Sequence, residues 1–130
     1  MSLKIVGKSP GFNNNYHFHA SPKYRASAFS PEIAIRTKEL IESKSTELGW
    51  KVHDIAVDDD HIHFLIQADT TPSNIAHRLF GFTSFSLRKE FPKLKELNKD
   101  HFWGGEQCKC ITDVDHFNNT IAYIAKHKQS

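Results

Sequence analysis

Apolar and polar positions alternate with period two in several stretches of the chain and recur every three to four residues in others. In Asp60-His61-Ile62-His63-Phe64-Leu65-Ile66 the alternation is strict, and it follows an acidic, turn-like run from Asp58 to Asp60. Successive strand side chains point to opposite faces, so His61, His63 and Leu65 share one face while Ile62, Phe64 and Ile66 share the other. The same pattern sets Tyr16 and Phe18 against His17 and His19 in a strand from Tyr16 to Ser21. Trp50 to Val57 and Glu106 to Thr112 read as two more strands. Helical spacing begins after Ser30-Pro31, a cap followed by proline at the first helical position, and runs through Ile33, Leu40, Ile41 and Leu48 to a closing Gly49. A longer helix opens at Thr71-Pro72-Ser73, carries Ile75, Ala76, Leu79, Phe80, Leu87 and Phe91 on a broad apolar side, and stops at Pro92. Gly81 inside it costs about 1 kcal/mol relative to alanine. Residues 93 to 105 read as a charged, glycine-rich connection. A last helix spans Asp115 to about Lys128, with Asp113 or Asp115 as its cap.

The predicted order is therefore strand, helix, strand, strand, helix, strand, helix. That order points to an α+β chain built as a ferredoxin-like (RRM-like) split β-α-β sandwich. It would have a four-stranded antiparallel sheet, helices on one face, and an added C-terminal helix. The first and third strands are neighbours in that topology, which would place His17 and His19 beside His61 and His63. A chain of 130 residues fits a single domain, 1–130, large enough to bury its own core.

Composition narrows the class. With 38% hydrophobic and 25% charged residues the chain reads as soluble and globular, and ten phenylalanines give its core aromatic bulk. No apolar run approaches the roughly 18 residues needed to span a bilayer, and no charged-then-apolar leader opens the sequence, so a cytoplasmic location is expected. Cys108 and Cys110, one residue apart in a strand, suit neither a disulfide framework nor a CxxC metal or redox motif and are expected to be small buried hydrophobes. A net charge of +2 does not by itself announce a nucleic-acid binder. Cations nonetheless cluster at Lys23-Tyr24-Arg25, at Arg88-Lys89 and at Lys126 and Lys128.

Two imidazoles two residues apart on a strand can grip one metal ion, because neutral histidine nitrogen is the commonest protein metal ligand. His61 and His63 have that spacing. On the last helix Phe117, Ile121 and Ile124 form a packing stripe, while His116, Asn119, Tyr123 and His127 line a different face. A tyrosine and a histidine one turn apart can serve as nucleophile and ligand, and can equally be an exposed helix face.

Five short motifs, in order, carry a resemblance. They are Ser21-Pro22-Lys23-Tyr24-Arg25, His61-Ile62-His63, Leu87-Arg88-Lys89-Glu90-Phe91-Pro92, Trp103-Gly104-Gly105, and the late helix with Tyr123-Ile124. From about Asn15 to His127 the chain resembles the HUH single-tyrosine transposases, the TnpA-type enzymes of the smallest bacterial and archaeal insertion sequences. The resemblance implies a metal-dependent enzyme that cuts and rejoins single-stranded DNA at insertion-sequence ends. His61 and His63 would bind a divalent metal, Mg²⁺ or Mn²⁺, and Tyr123 would form a covalent 5′-phosphotyrosine. It also implies a homodimer that recognises hairpins near the element ends and needs no nucleotide cofactor. Where the family carries a glutamine four residues after the tyrosine, this chain has His127, which would make the third ligand an imidazole. Lys23, Tyr24 and Arg25 at a strand end, and Arg78 and Arg88 on the second long helix beside Phe85, are expected to meet DNA, with phosphates held by the cations and bases stacked on the rings. Three other readings share these residues: an HUH replication-initiator or relaxase-like nickase, a non-catalytic hairpin or single-strand binder, and a metal store built from His17, His19, His61 and His63.

Overall fold

The computed structural model describes residues 3–23, 30–97 and 102–128. Among these residues five strands form one sheet: β1 (Leu3–Val6), β2 (Asn15–Pro22), β3 (Lys51–Val57), β4 (Ile62–Gln67) and β5 (Trp103–Cys110). Their spatial order is β1-β5-β2-β4-β3. All neighbours are antiparallel except β1 and β5, which run parallel. Four α-helices accompany them: α1 (Pro31–Glu47), α2 (Pro72–Glu90), the short α3 (Lys93–Leu97) and α4 (Val114–His127).

Local chemistry sets the helix starts. Ser30, Thr71 and Asp113 each accept a hydrogen bond through the side chain from the third residue onward, the N–H of Ile33, Asn74 and His116 respectively. Each satisfies one of the amides that a helix start leaves unpaired. Gly49, at φ +79°, closes α1 in the left-handed region.

Alternation along the strands divides the interior in two. Tyr16, Phe18, Ile62, Phe64, Ile66 and Cys108 face α1 and α2 and build the larger core with Ile41, Leu79 and Phe80. On the opposite face Ala56, Leu65 and Ile111 meet Ile124, with Phe117 and Ile121 packed alongside, so that α4 lies across that side of the sheet. The helices therefore sandwich the sheet, and the predicted packing stripe of the last helix is the one used. Cys108 and Cys110 are free and buried, as their spacing implied. Among the described residues no helix is long and apolar enough to cross a membrane.

The sheet departs from the expected four antiparallel strands. Leu3–Val6 adds a fifth strand at an edge, in parallel register with Glu106–Lys109. Leu3 packs against the core but Ile5 and Val6 are exposed, so the strand rests largely on backbone pairing, which the hydrophobic pattern does not report. The 93–105 connection contains α3, and β5 starts three residues before the predicted Glu106. Glycines 104 and 105 disguise that strand start, and for Gly104 the requirement is steric. A Cβ there would stand 2.5 Å from the Cα of Lys23, where β5 passes close to the end of β2.

Candidate metal and tyrosine site

The register of β2 against β4 sets His19 directly opposite His63. Their ring centroids are 4.6 Å apart, and His19 is also 5.2 Å from His61 and His17 5.7 Å from His63. The expected juxtaposition of the two histidine pairs is therefore present. His61 itself lies one residue before β4, in the turn from β3, where its carbonyl accepts from the Asp58 N–H at 2.8 Å. That turn folds Asp58 back over the imidazole: Asp58 Oδ2 is 3.1 Å from His61 Nε2. The other ring nitrogen, Nδ1, is 2.6 Å from Asp60 Oδ1; an N–H donated there would leave the Nε2 lone pair for an ion held between it and Asp58.

Packing of the 117/121/124 stripe turns the 116/119/123/127 stripe of α4 towards these histidines. The Tyr123 ring stands edge-on to His63 at 5.1 Å and tilted to His127 at 4.6 Å. His127 Nδ1 lies 2.7 Å from Asp58 Oδ2. Lys128, one residue on, pairs with Asp54 of β3 and fastens the helix end. Asp58, His61, His63 and His127 thus each offer one ligand atom, all within 4.8 Å of one another.

Burial makes this donor set fit a metal ion. His63 is 3% exposed, and neither of its ring nitrogens has a hydrogen-bond partner among the described residues. Burial, reinforced by the neighbouring imidazoles, drives its pKa down to about 2, so the ring stays neutral with a lone pair available. An unmet buried polar group costs about 1–3 kcal/mol. A metal held with His61, His127 and Asp58 would satisfy it, whereas no side chain among the described residues does. His17 is similarly buried, and its pKa is brought down to about 4, mainly by that burial, with Lys109 adding to the effect.

Beside Tyr123 and His63, a cavity of about 310 Å³ opens between α4 and the sheet. His17, His19, Gln107 and Lys109 form its floor, and His116 and Asn119 are on its helical wall. Tyr123 is 43% exposed and can be reached from it.

The residues expected to meet DNA are dispersed. Lys23 is exposed at the end of β2, its N–H bonded to the Phe102 carbonyl at 2.8 Å. Tyr24 and Arg25 lie outside the described residues. Arg78 is exposed and Arg88 half-buried on α2, which packs on the other face of the sheet, so neither is brought to the histidines. Phe85 on the same helix is 64% exposed. The other motif residues have structural work. Glu90 binds Arg36 of α1 through both carboxylate oxygens, at 2.7 and 3.1 Å, and the Trp103 indole N–H donates to Thr83 Oγ1 at 2.9 Å. Asp58 and Lys109 were not singled out from sequence. The spacing Asp58-x-x-His61-x-His63 was a readable signal for the first; Lys109 gave none.

Comparison with known proteins bears on the fold and the family. A protein of Deinococcus radiodurans R1, provisionally assigned as a transposase, superposes with a TM-score of 0.70 at 20% identity, covering 95% of this chain and 97% of its own. A REP-associated tyrosine transposase bound to a REP hairpin superposes with a TM-score of 0.66 at 11% identity, covering 100% of this chain and 76% of its own. At those identities the likeness is one of fold. No curated protein matches the chain in sequence. The family model described as "Transposase IS200 like" matches residues 11–127, a span that takes in all four candidate ligands and Tyr123, and the chain belongs to that transposase family.

Proposed function

We propose that this protein is a single-strand DNA transposase that cuts and rejoins insertion-sequence ends through a covalent 5′-phosphotyrosine at Tyr123. One observation carries the reading: within a single chain, the Tyr123 ring lies 5.1 Å from His63 and 4.6 Å from His127, at the edge of the four-donor cluster. A divalent ion, Mn²⁺ or Mg²⁺, would be held by His61, His63, His127 and Asp58. When bound, it supplies Lewis acidity at a non-bridging phosphate oxygen, worth several kcal/mol of charge stabilisation.

The chain's own residues do the rest. The Tyr123 phenol oxygen attacks phosphorus and loses its proton, the bond from phosphorus to the 3′-oxygen breaks, and that oxygen takes up a proton and leaves as a 3′-hydroxyl. The phosphodiester is conserved as a tyrosyl ester. An incoming 3′-hydroxyl can therefore reverse the step without a nucleotide cofactor. Asp60 holds His61 in its ligating tautomer, and the Lys128–Asp54 pair keeps the end of α4 against β3. Lys23, with Tyr24 and Arg25 beyond it in sequence, would guide the strand at the end of β2. Arg78, Arg88 and exposed Phe85, on the far layer, would form a second surface suited to a hairpin. The working unit is one domain on a ferredoxin-like core, acting as a cytoplasmic homodimer.

Incubation with labelled single-stranded DNA carrying a hairpin and Mn²⁺ should give an SDS-resistant adduct that Tyr123→Phe abolishes. Retention of the adduct in that variant would move the nucleophile elsewhere. Hairpin binding with no adduct in the natural chain would make the protein a binder alone.

A further inference from the structure

Resting on the cleavage reading above, we infer that the cavity beside Tyr123 is a seat for one nucleotide, the one whose 5′-phosphate is transferred to the tyrosine. Its volume of about 310 Å³ lies at the lower end of the roughly 300–1,000 Å³ usual for small-molecule sites, enough for a single nucleotide and too small for several. Its lining has the needed chemistry. Lys109, directly opposite His17 in the β2–β5 register, offers a cation for phosphate. Gln107 and Asn119 each offer an amide that can both donate to and accept from a base edge. His116 Nδ1 accepts from the Thr112 N–H at 2.9 Å, which makes Nε2 the protonated nitrogen, a donor on the cavity side.

A second observation points to a ligand. His17 is 7% exposed, lines the cavity, and has its buried Nε2 without a hydrogen-bond partner among the described residues. Its ring stands edge-on to Tyr123 at 5.9 Å, and the exposed Tyr123 ring offers a flat surface on which a base can rest.

Stereochemistry selects which nucleotide enters. In an in-line displacement the leaving 3′-oxygen lies opposite the attacking phenol oxygen, so the nucleotide that departs occupies the far side of phosphorus. The nucleotide that keeps its 5′-oxygen bond projects sideways, beside the tyrosine. His63 of the ligand cluster lines the cavity together with Tyr123, so the space opens directly beside both the ligands and the tyrosine, and its wall continues with Asn119 and His116. The retained nucleotide therefore belongs in the cavity.

The test uses the natural full chain in EDTA, so that no metal takes part. The four deoxynucleoside 5′-monophosphates, their 3′-monophosphate isomers and inorganic phosphate are titrated while the His17 and His116 ring signals are followed by NMR. The 5′-monophosphates should bind at least tenfold more tightly than the 3′ isomers or phosphate. Exposed Lys109→Gln should weaken them about tenfold, and Asn119→Ala should level the ranking of the four bases. Equal binding of 5′ and 3′ isomers, phosphate binding as well as nucleotide, or indifference to Lys109→Gln would each overturn the assignment. Tyrosyl adducts formed without 5′ selection would leave cleavage standing and remove the seat. Selection of 5′-monophosphates by a chain that never forms an adduct would do the reverse.

Discussion

Asp58 Oδ2 stands 2.7 Å from His127 Nδ1, linking the turn before β4 to the last turn of α4. The same oxygen lies 3.1 Å from His61 Nε2, so one carboxylate gathers imidazoles that are far apart in sequence. In the proposed metal site Asp58 would supply the oxygen in an otherwise nitrogen donor set. Replacing it by asparagine keeps the size and removes the charge. Mn²⁺ affinity measured by calorimetry should fall by roughly tenfold or more, as for losses at metal sites generally. Unchanged affinity in Asp58→Asn would remove it from the ligand set.

Three imidazole nitrogens and one carboxylate oxygen favour Mn²⁺ over Mg²⁺, which prefers oxygen and a nearly ideal octahedron. Half-saturation of adduct formation should therefore come at lower Mn²⁺ than Mg²⁺, and His127→Gln, which exchanges an imidazole nitrogen for an amide oxygen, should narrow the gap. Identical metal dependence in the natural chain and in His127→Gln would show that position 127 does not ligate.

Two glycines predict opposite outcomes. A Cβ at Gly81 meets nothing within 4 Å, and the position is inside α2, so Gly81→Ala should stabilise the protein by about 1 kcal/mol. At Gly104 a Cβ meets the Lys23 Cα at 2.5 Å, so Gly104→Ala must displace backbone and should cost about 1–3 kcal/mol. Urea midpoints for the two variants should move in opposite directions; a shift in the same direction would contradict the packing of β5 on the end of β2.

Glu106 is 5% exposed on the α1/α2 side of β5, on the same face as Cys108, and one carboxylate oxygen lacks a partner among the described residues. Burial pushes its pKa up to about 7 from an ordinary 4.5. Between those values the folded chain holds a proton that the unfolded chain has lost, so this group's contribution to stability falls as pH rises from 4.5 to 7 and levels off above. Glu106→Gln should remove that slope and leave the variant more stable above pH 7, by on the order of 1 to 2 kcal/mol. Parallel stability curves for the two proteins between pH 4.5 and 8 would show that Glu106 does not titrate in this way.

The sequence by itself determined the local structure and half of the site. Period-two alternation set His61 and His63 on the face opposite Ile62 and Phe64, and period 3.6 set Tyr123 and His127 apart from the Phe117, Ile121 and Ile124 stripe. Side-chain direction in a strand or helix follows from backbone geometry, which is local. Ser30 and Thr71, followed by prolines, marked helix starts for the same reason. What only the tertiary structure decided was non-local. The edge strand Leu3–Val6 exists because β5 offers it a free row of backbone groups. Asp58 joined the histidines because a turn folds it back, and Lys109 came to line the cavity beside the tyrosine because β5 lies beside β2. The same packing carried Arg78 and Arg88 to the far layer, since α2 must bury Leu79 and Phe80 on the face that the histidines do not occupy. Periodicity says which way a side chain points from its own element; which element it then meets is settled by packing between distant parts of the chain.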